Sequence, residues 1–167
     1  MSKKKNRIKK TLVEKMLDAH HIKYQQFIFP TKKVGDVQQM VFTDTGVDEH
    51  HVYKTLVLSG KKTGPLVGVV PIDMKLNEKA LAKASHNKKV NMVPLKQLRK
   101  TSGYAHGANT PIGIYEQDHY PIFISQIAQK QGIIWVSSGE IGRSVKIKAN
   151  DLAQMVHAKF AKIAVNK

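Results

Sequence analysis

The chain of 167 residues contains no cysteine, which excludes disulfides, thiolate metal sites and a cysteine nucleophile. That absence fits a reducing compartment. Acidic residues are scarce: 12 Asp and Glu stand against 28 Lys and Arg, a net charge of +16 with histidine neutral. An excess of that size in a small chain points to a polyanionic partner, nucleic acid first among them. No apolar run approaches the roughly 20 residues of a membrane helix. The basic start, MSKKKNRIKK, has no apolar stretch behind it and does not read as a signal peptide. A cytoplasmic protein with no membrane partner is therefore expected. Gly-rich loops ending in Gly-Lys-Ser/Thr are missing, as are Gly-x-Ser-x-Gly elbows and any paired-carboxylate signature.

What is present describes one folded domain. Hydrophobic residues make up 41%, enough to rule out wholesale disorder. Residues 1–10 read as a basic tail, either a solubilising end or a phosphate-binding arm, and 11–167 as a single domain. Ile8, Leu12, Val13, Met16 and Leu17 share a helical face that runs out near His20–His21. Lys23–Phe29 reads as a strand stopped by Pro30, and Val34, Val37, Met40 and Val41 as a second helix ended by Gly46. Val52–Ser59 and Pro65–Ile72 are β-branched runs joined by Gly60–Gly64, a hairpin. Asn77 is placed to cap a helix carrying Leu81 and Ala84. Val90–Val93 is a short strand, and Pro94 opens the next helix. Gly103–Gly113 has little periodicity and reads as a loop. Pro121–Ser125, Gly132–Ser138 and Ser144–Lys148 are strands, the last two joined by the Gly139–Gly142 turn. A final helix is expected from Asn150, with Leu152, Met155, Val156, Phe160 and Ile163 on one face. Hairpins mixed with helices predict an α/β (mixed α+β) fold: a mixed, largely antiparallel sheet with helices packed on it.

Two places could carry chemistry. Lys54 sits mid-strand with Val52, Leu56 and Leu58 on its face. Such a lysine either snorkels at a sheet margin or holds an anion or carbonyl in a cleft. The glycines of Gly103–Gly113 let backbone amides approach a substrate, where they can stabilise an oxyanion. An ordinary connecting loop is the plainer reading, and His106 within it is a candidate base on slight grounds. The pairs His20–His21 and His50–His51 lack metal-ligand spacing and read as solvated helix ends.

Taken together, VDEHHVYKTLVL, SGYAHGANTPIGI, IIWVSSGEIG and DLAQMVHAKFAKIA resemble the YbaK/EbsC family of aminoacyl-tRNA deacylases, whose fold also occurs as the editing insertion of bacterial prolyl-tRNA synthetases. The similarity covers about Thr11 to Ile163. It implies the family's partly barrel-like sheet and maps the central lysine onto Lys54 and the loop glycine onto Gly107. It implies a substrate-binding set of Phe29, Tyr53, Thr55, His106, Ala108, Asn109, Thr110, Pro111, Ser138, Gly139 and Ser144. No metal, no cofactor and no covalent enzyme nucleophile are implied. The implied reaction is cleavage of the aminoacyl ester of mischarged tRNA, with cysteinyl-tRNA(Pro) or cysteinyl-tRNA(Cys) first. The substrate's own thiol is then the attacking group, and prolyl-tRNA synthetase is a further candidate partner. Three positions depart from the family pattern. Phe29 stands where cysteine-specific members have tyrosine, Ser144 where an acid is expected, and Glu140–Ile141 where a basic pair is usual. These departures leave open a non-catalytic RNA-binding relative.

Overall fold

A computed structural model describes residues 8–167. Residues 1–7 of the expected basic tail lie outside that span. The part within view is tied to the domain: Lys10 Nζ meets Asp18 at 2.5 Å, and the carbonyls of Ile8 and Lys9 accept from Gln26 and Arg143.

The central element is the hairpin of β4 (Tyr53–Gly60) and β5 (Gly64–Pro71), as the two β-branched runs predict. It lies inside a five-stranded sheet ordered β11-β8-β5-β4-β7, where β7 is Val90–Met92, β8 Ile122–Ser125 and β11 Lys159–Ala161. A three-stranded sheet, β1-β10-β9, is built from Tyr24–Ile28, Arg143–Lys148 and Ile133–Ser137. One isolated bridge, Val52 with Trp135, connects the two sheets. Of the strand ladders, β8 with β5 and β8 with β11 are parallel, as is the Val52–Trp135 bridge, and the other ladders are antiparallel, so the sheet system is largely antiparallel. The fold is mixed α/β; both sheets have edges, and the pairings describe no closed barrel.

Alternation along β4 divides the apolar interior in two. Val57 joins Val67, Ile124, Ile134, Val145 and Leu152 in the larger cluster. Leu58, on the opposite face, joins Leu66, Val70, Leu81, Val90 and Ile163. Helix α1 (Leu12–Ala19) enters through a capping box in which Thr11 and Glu14 bond reciprocally. Helix α2 (Glu78–Ala84) has its predicted Asn77 cap, whose side chain accepts from the Ala80 amide at 3.1 Å. Pro94 precedes α3 (Leu95–Ser102).

Three expectations are corrected. The helix expected around Val34–Val41 is a two-stranded hairpin, β2 (Thr31–Val34) with β3 (Val37–Met40). Its turn is Gly35–Asp36, with Gly35 at φ +63°, the geometry that the first central position of a tight hairpin demands. The loop expected through Gly113 ends earlier, because Thr110 caps α4 (Pro111–Asp118) and Pro111 occupies its first turn. The last helix is only α6 (Ala149–Met155), capped at Lys148 rather than Asn150. His157, at φ +51°, turns the chain so that Phe160 lies on β11 and Ile163 reaches the second cluster. The short α5 (Gln126–Gln131) and the strand pair β6 (Met74–Leu76) with β12 (Ala164–Asn166) were not anticipated.

Candidate active site

Lys54 and Gly107 line the same cavity, of about 970 Å³. Strand β4 delivers Lys54 opposite Val70, on the face shared with Leu56 and Leu58. The loop ahead of α4 delivers His106, Gly107 and Asn109. The β9–β10 turn adds Ile141, and the β2–β3 hairpin adds Gln38, Gln39 and Met40. Apolar wall comes from Phe42, Leu56, Met92 and Leu98.

The glycine loop is fixed at both ends. Ser102 Oγ donates to Asn109 Oδ1 at 2.6 Å, and Ser137 Oγ donates to the Ala108 carbonyl at 3.2 Å. Gly107 stands at φ +86°, a conformation that favours glycine, and a Cβ there would meet only Ile141 Cγ1, at 3.8 Å. The loop's glycine is thus required by backbone geometry rather than by crowding. The Ala108 N–H is taken up within the loop, donating to the Ala105 carbonyl at 2.9 Å, whereas His106, Gly107 and Asn109 line the cavity.

The electrostatics centre on Lys54. Burial lowers its pKa below the usual 10.5, the nearby Lys167 cation lowers it further, and Asp73 opposes both. Asp73 itself accepts from His50 Nδ1 at 3.0 Å. The Tyr53 phenol is pushed up by burial and by the Asp73 charge, and it donates to Gln131 Oε1 at 2.7 Å. Thr55, on the same cavity, has its Oγ1 buried with no hydrogen-bond partner among the described residues. Among the described residues, no group of three His, Cys, Asp or Glu is placed to hold a metal ion.

Of the residues the sequence singled out, Tyr53, Lys54, Thr55, His106, Gly107 and Asn109 lie on the cavity. Phe29, Ala108, Thr110, Pro111, Ser138, Gly139 and Ser144, expected to bind substrate, do not line it. Phe29 is buried, with its ring 5.2 Å from that of Phe42, which does line the cavity. Thr110 and Pro111 start α4, and Ser144 is buried mid-sheet between Phe27 and Ser137. Sequence reasoning missed Asp73, Glu49, Arg143 and Lys167, which reach the cavity from distant parts of the chain. No local pattern announces them. The hairpin residues Gln38 and Gln39 did carry a signal, the Gly35–Asp36 turn.

The profile of the aminoacyl-tRNA editing domain matches residues 31–155. The chain belongs to that family. Over all 167 residues it is 35% identical to EbsC of Enterococcus faecalis (strain ATCC 700802 / V583), named provisionally as a Cys-tRNA(Pro)/Cys-tRNA(Cys) deacylase, and the alignment covers both chains completely. Two solved structures share the editing-domain fold. One is a hypothetical protein, APE2540, with TM-score 0.78 and 19% identity, covering 92% of this chain and 99% of that one. The other is provisionally described as a trans-editing enzyme for prolyl tRNA synthetase, with TM-score 0.75 and 17% identity, covering 92% and 95%. The matched span runs through the hairpin, Lys54, the glycine loop and the β9–β10 turn, so every wall of the cavity draws on it except the Lys167 side.

Proposed function

We propose that this protein is a trans-editing aminoacyl-tRNA deacylase that removes a small amino acid from tRNA, cysteine on tRNA(Pro) or tRNA(Cys) first. The observation that carries this reading is the meeting of Lys54 and the Gly107 loop on one cavity of an editing-domain fold. At about 970 Å³ the cavity is at the upper end of ligand-pocket sizes, far more than cysteine alone needs. It has room for the amino acid together with the terminal adenosine.

An aminoacyl ester is already activated, so positioning and charge stabilisation suffice without a strong base. In the cysteinyl substrate, the thiol sulfur attacks the ester carbonyl carbon. The oxyanion that forms faces the Gly107 and Asn109 amides, and the Lys54 ammonium supplies opposing charge. Collapse breaks the bond to the ribose oxygen, which takes the proton given up by the thiol. The products are a cyclic thiolactone and tRNA with a free terminal hydroxyl. With a substrate lacking the thiol, a positioned water attacks instead and the free amino acid leaves.

The deciding assay is Lys54→Ala against a panel of Cys-, Ala-, Ser- and Pro-tRNA(Pro), together with Cys-tRNA(Cys). Loss of one preorganised charge of this kind lowers kcat by about a hundredfold or more. Undiminished release by the variant at saturating enzyme removes Lys54 from the reaction. A thiolactone product identifies the self-attack route. Binding of tRNA by the unmodified protein with no release from any of these substrates would mark a non-catalytic binder and overturn the enzyme.

A further inference from the structure

From Lys79 to Tyr115 the chain contains no Asp or Glu, and from His50 to Ile72 there is none either. The fold brings parts of these two acid-free stretches together at the far end of β4 from Lys54. We propose that this end, with the β7 edge and α3, is an RNA docking surface that takes the phosphate backbone of the tRNA acceptor arm. The proposal rests on the deacylase reading and adds where the body of the substrate lies.

The surface is built by Asn87. This buried side chain accepts at Oδ1 from the amides of Lys62 (2.9 Å) and Thr63 (3.3 Å). Its Nδ2 donates to Thr63 Oγ1 (3.1 Å) and Ser85 Oγ (2.9 Å). The Asn87 amide in turn donates to the Ala82 carbonyl at 2.8 Å, fixing the residue at the end of α2. One amide side chain therefore locks the β4–β5 turn to the α2–β7 loop. Gly60 allows the approach, since a Cβ there would collide with the Asn87 carboxamide. The result sets exposed Lys61 and Lys62 beside exposed Lys88 and Lys89, with no carboxylate in either loop.

A merely solvating lysine set needs no such construction and is ordinarily interleaved with acids. Here the charge is concentrated and its two supports are pinned. It also leads somewhere. β7 is the edge strand of the five-stranded sheet and pairs with Leu58–Gly60 of β4. Met92 at its end is 44% exposed and lines the cavity. α3 follows, lining the cavity with Leu95 and Leu98 while exposing Lys96, Arg99 and Lys100. Gly60 is six residues from Lys54 along β4, about 20 Å at strand rise. A helical arm whose acylated end enters the cavity would lay its phosphates along that distance. Cations without base-reading partners suit a duplex held through its backbone, independent of sequence.

The test neutralises Lys61, Lys62, Lys88 and Lys89 together to Gln. A control carries Lys15, Lys130, Lys148 and Lys159 to Gln, exposed positions of which Lys159 lies on the opposite edge strand β11. Binding of uncharged tRNA is measured across a salt series. Cysteine release is measured from full-length Cys-tRNA and from a cysteinylated terminal trinucleotide. The patch variant should bind tRNA at least about tenfold more weakly at ~100 mM salt, with the log–log salt slope reduced by about 3.6, as four lost duplex phosphate contacts require. Its activity on the trinucleotide should equal that of the unmodified protein, and the control should lose less than about threefold. An unchanged affinity and slope overturns the surface, and so does an equal loss in the control. If the unmodified protein releases no amino acid, the deacylase reading falls, while the binding series still decides the surface.

Discussion

Lys54 stands on a strand whose neighbours are almost all apolar, and its ammonium is the charge that the proposed reaction needs. Burial and Lys167 lower its pKa below 10.5, and Asp73 raises it. Deacylation that uses the ammonium is therefore lost as pH rises through a value below that of a free lysine. Asp73→Asn removes the supporting charge and should move this alkaline limb to lower pH. Lys167→Met removes the competing charge and should move it to higher pH. Rates corrected for spontaneous ester hydrolysis will show the two shifts, and shifts of the same sign would contradict the arrangement. Folding is linked to the same proton. Between the folded and unfolded pKa values the unfolded chain holds a proton that the folded chain lacks, so stability rises with pH across that window. A Lys54→Met protein should accordingly be more stable at neutral pH, by a margin that shrinks toward pH 10.5.

The elements around the cavity are held by few but costly contacts. Glu14 is fully buried on α1, and its carboxylate meets Arg143 Nη2 of β10 at 3.0 and 3.2 Å. The same carboxylate accepts from Gln26 of β1 and from the Thr11 amide. Glu14→Ala leaves a largely buried guanidinium with only the Lys9 carbonyl as partner, and since a broken fully buried pair costs about 3–5 kcal/mol the loss should fall at or below the lower end of that range. Chemical denaturation should report that loss, and a change under about 1 kcal/mol would mean that Arg143 finds another partner. At this scale the sequence was legible wherever one element decides its own shape. The β4–β5 hairpin needs only its two β-branched runs and the glycines between them. The hairpin at residues 31–40 was misread because Val34, Val37 and Met40 fall at helical spacing, although the Gly35–Asp36 turn contradicts a helix. The end of the chain was misread for a different reason. Phe160 and Ile163 continue the helical apolar pattern, yet Ile163 is needed in the second cluster, on the other side of the sheet from Leu152. Tertiary demand outweighs periodicity there.

Across the whole molecule, the charge balance of +16 and the cavity serve one task if the substrate is an RNA ester. Affinity for tRNA should then fall by about a thousandfold between 50 and 200 mM salt, the loss expected for some six phosphate contacts. Filter binding measures it, and a fall of less than tenfold would limit the contacts to one or two. The candidate site was half legible. Lys54, Thr55, Gly107 and Asn109 come from contiguous motifs, whereas Asp73, Arg143 and Lys167 meet them only through the fold.

Among the described side chains, the β2–β3 hairpin supplies none to either apolar cluster, and β2 is exposed along its length. Yet Gln38, Gln39 and Met40 are part of the chamber's lining. Gln38, Gln39 and Met40, which help shape what the chamber admits, thus stand apart from the two clusters that hold the fold together. Exchanging them is a cheap route, for evolution or for a designer, to a new amino-acid preference on an unchanged scaffold.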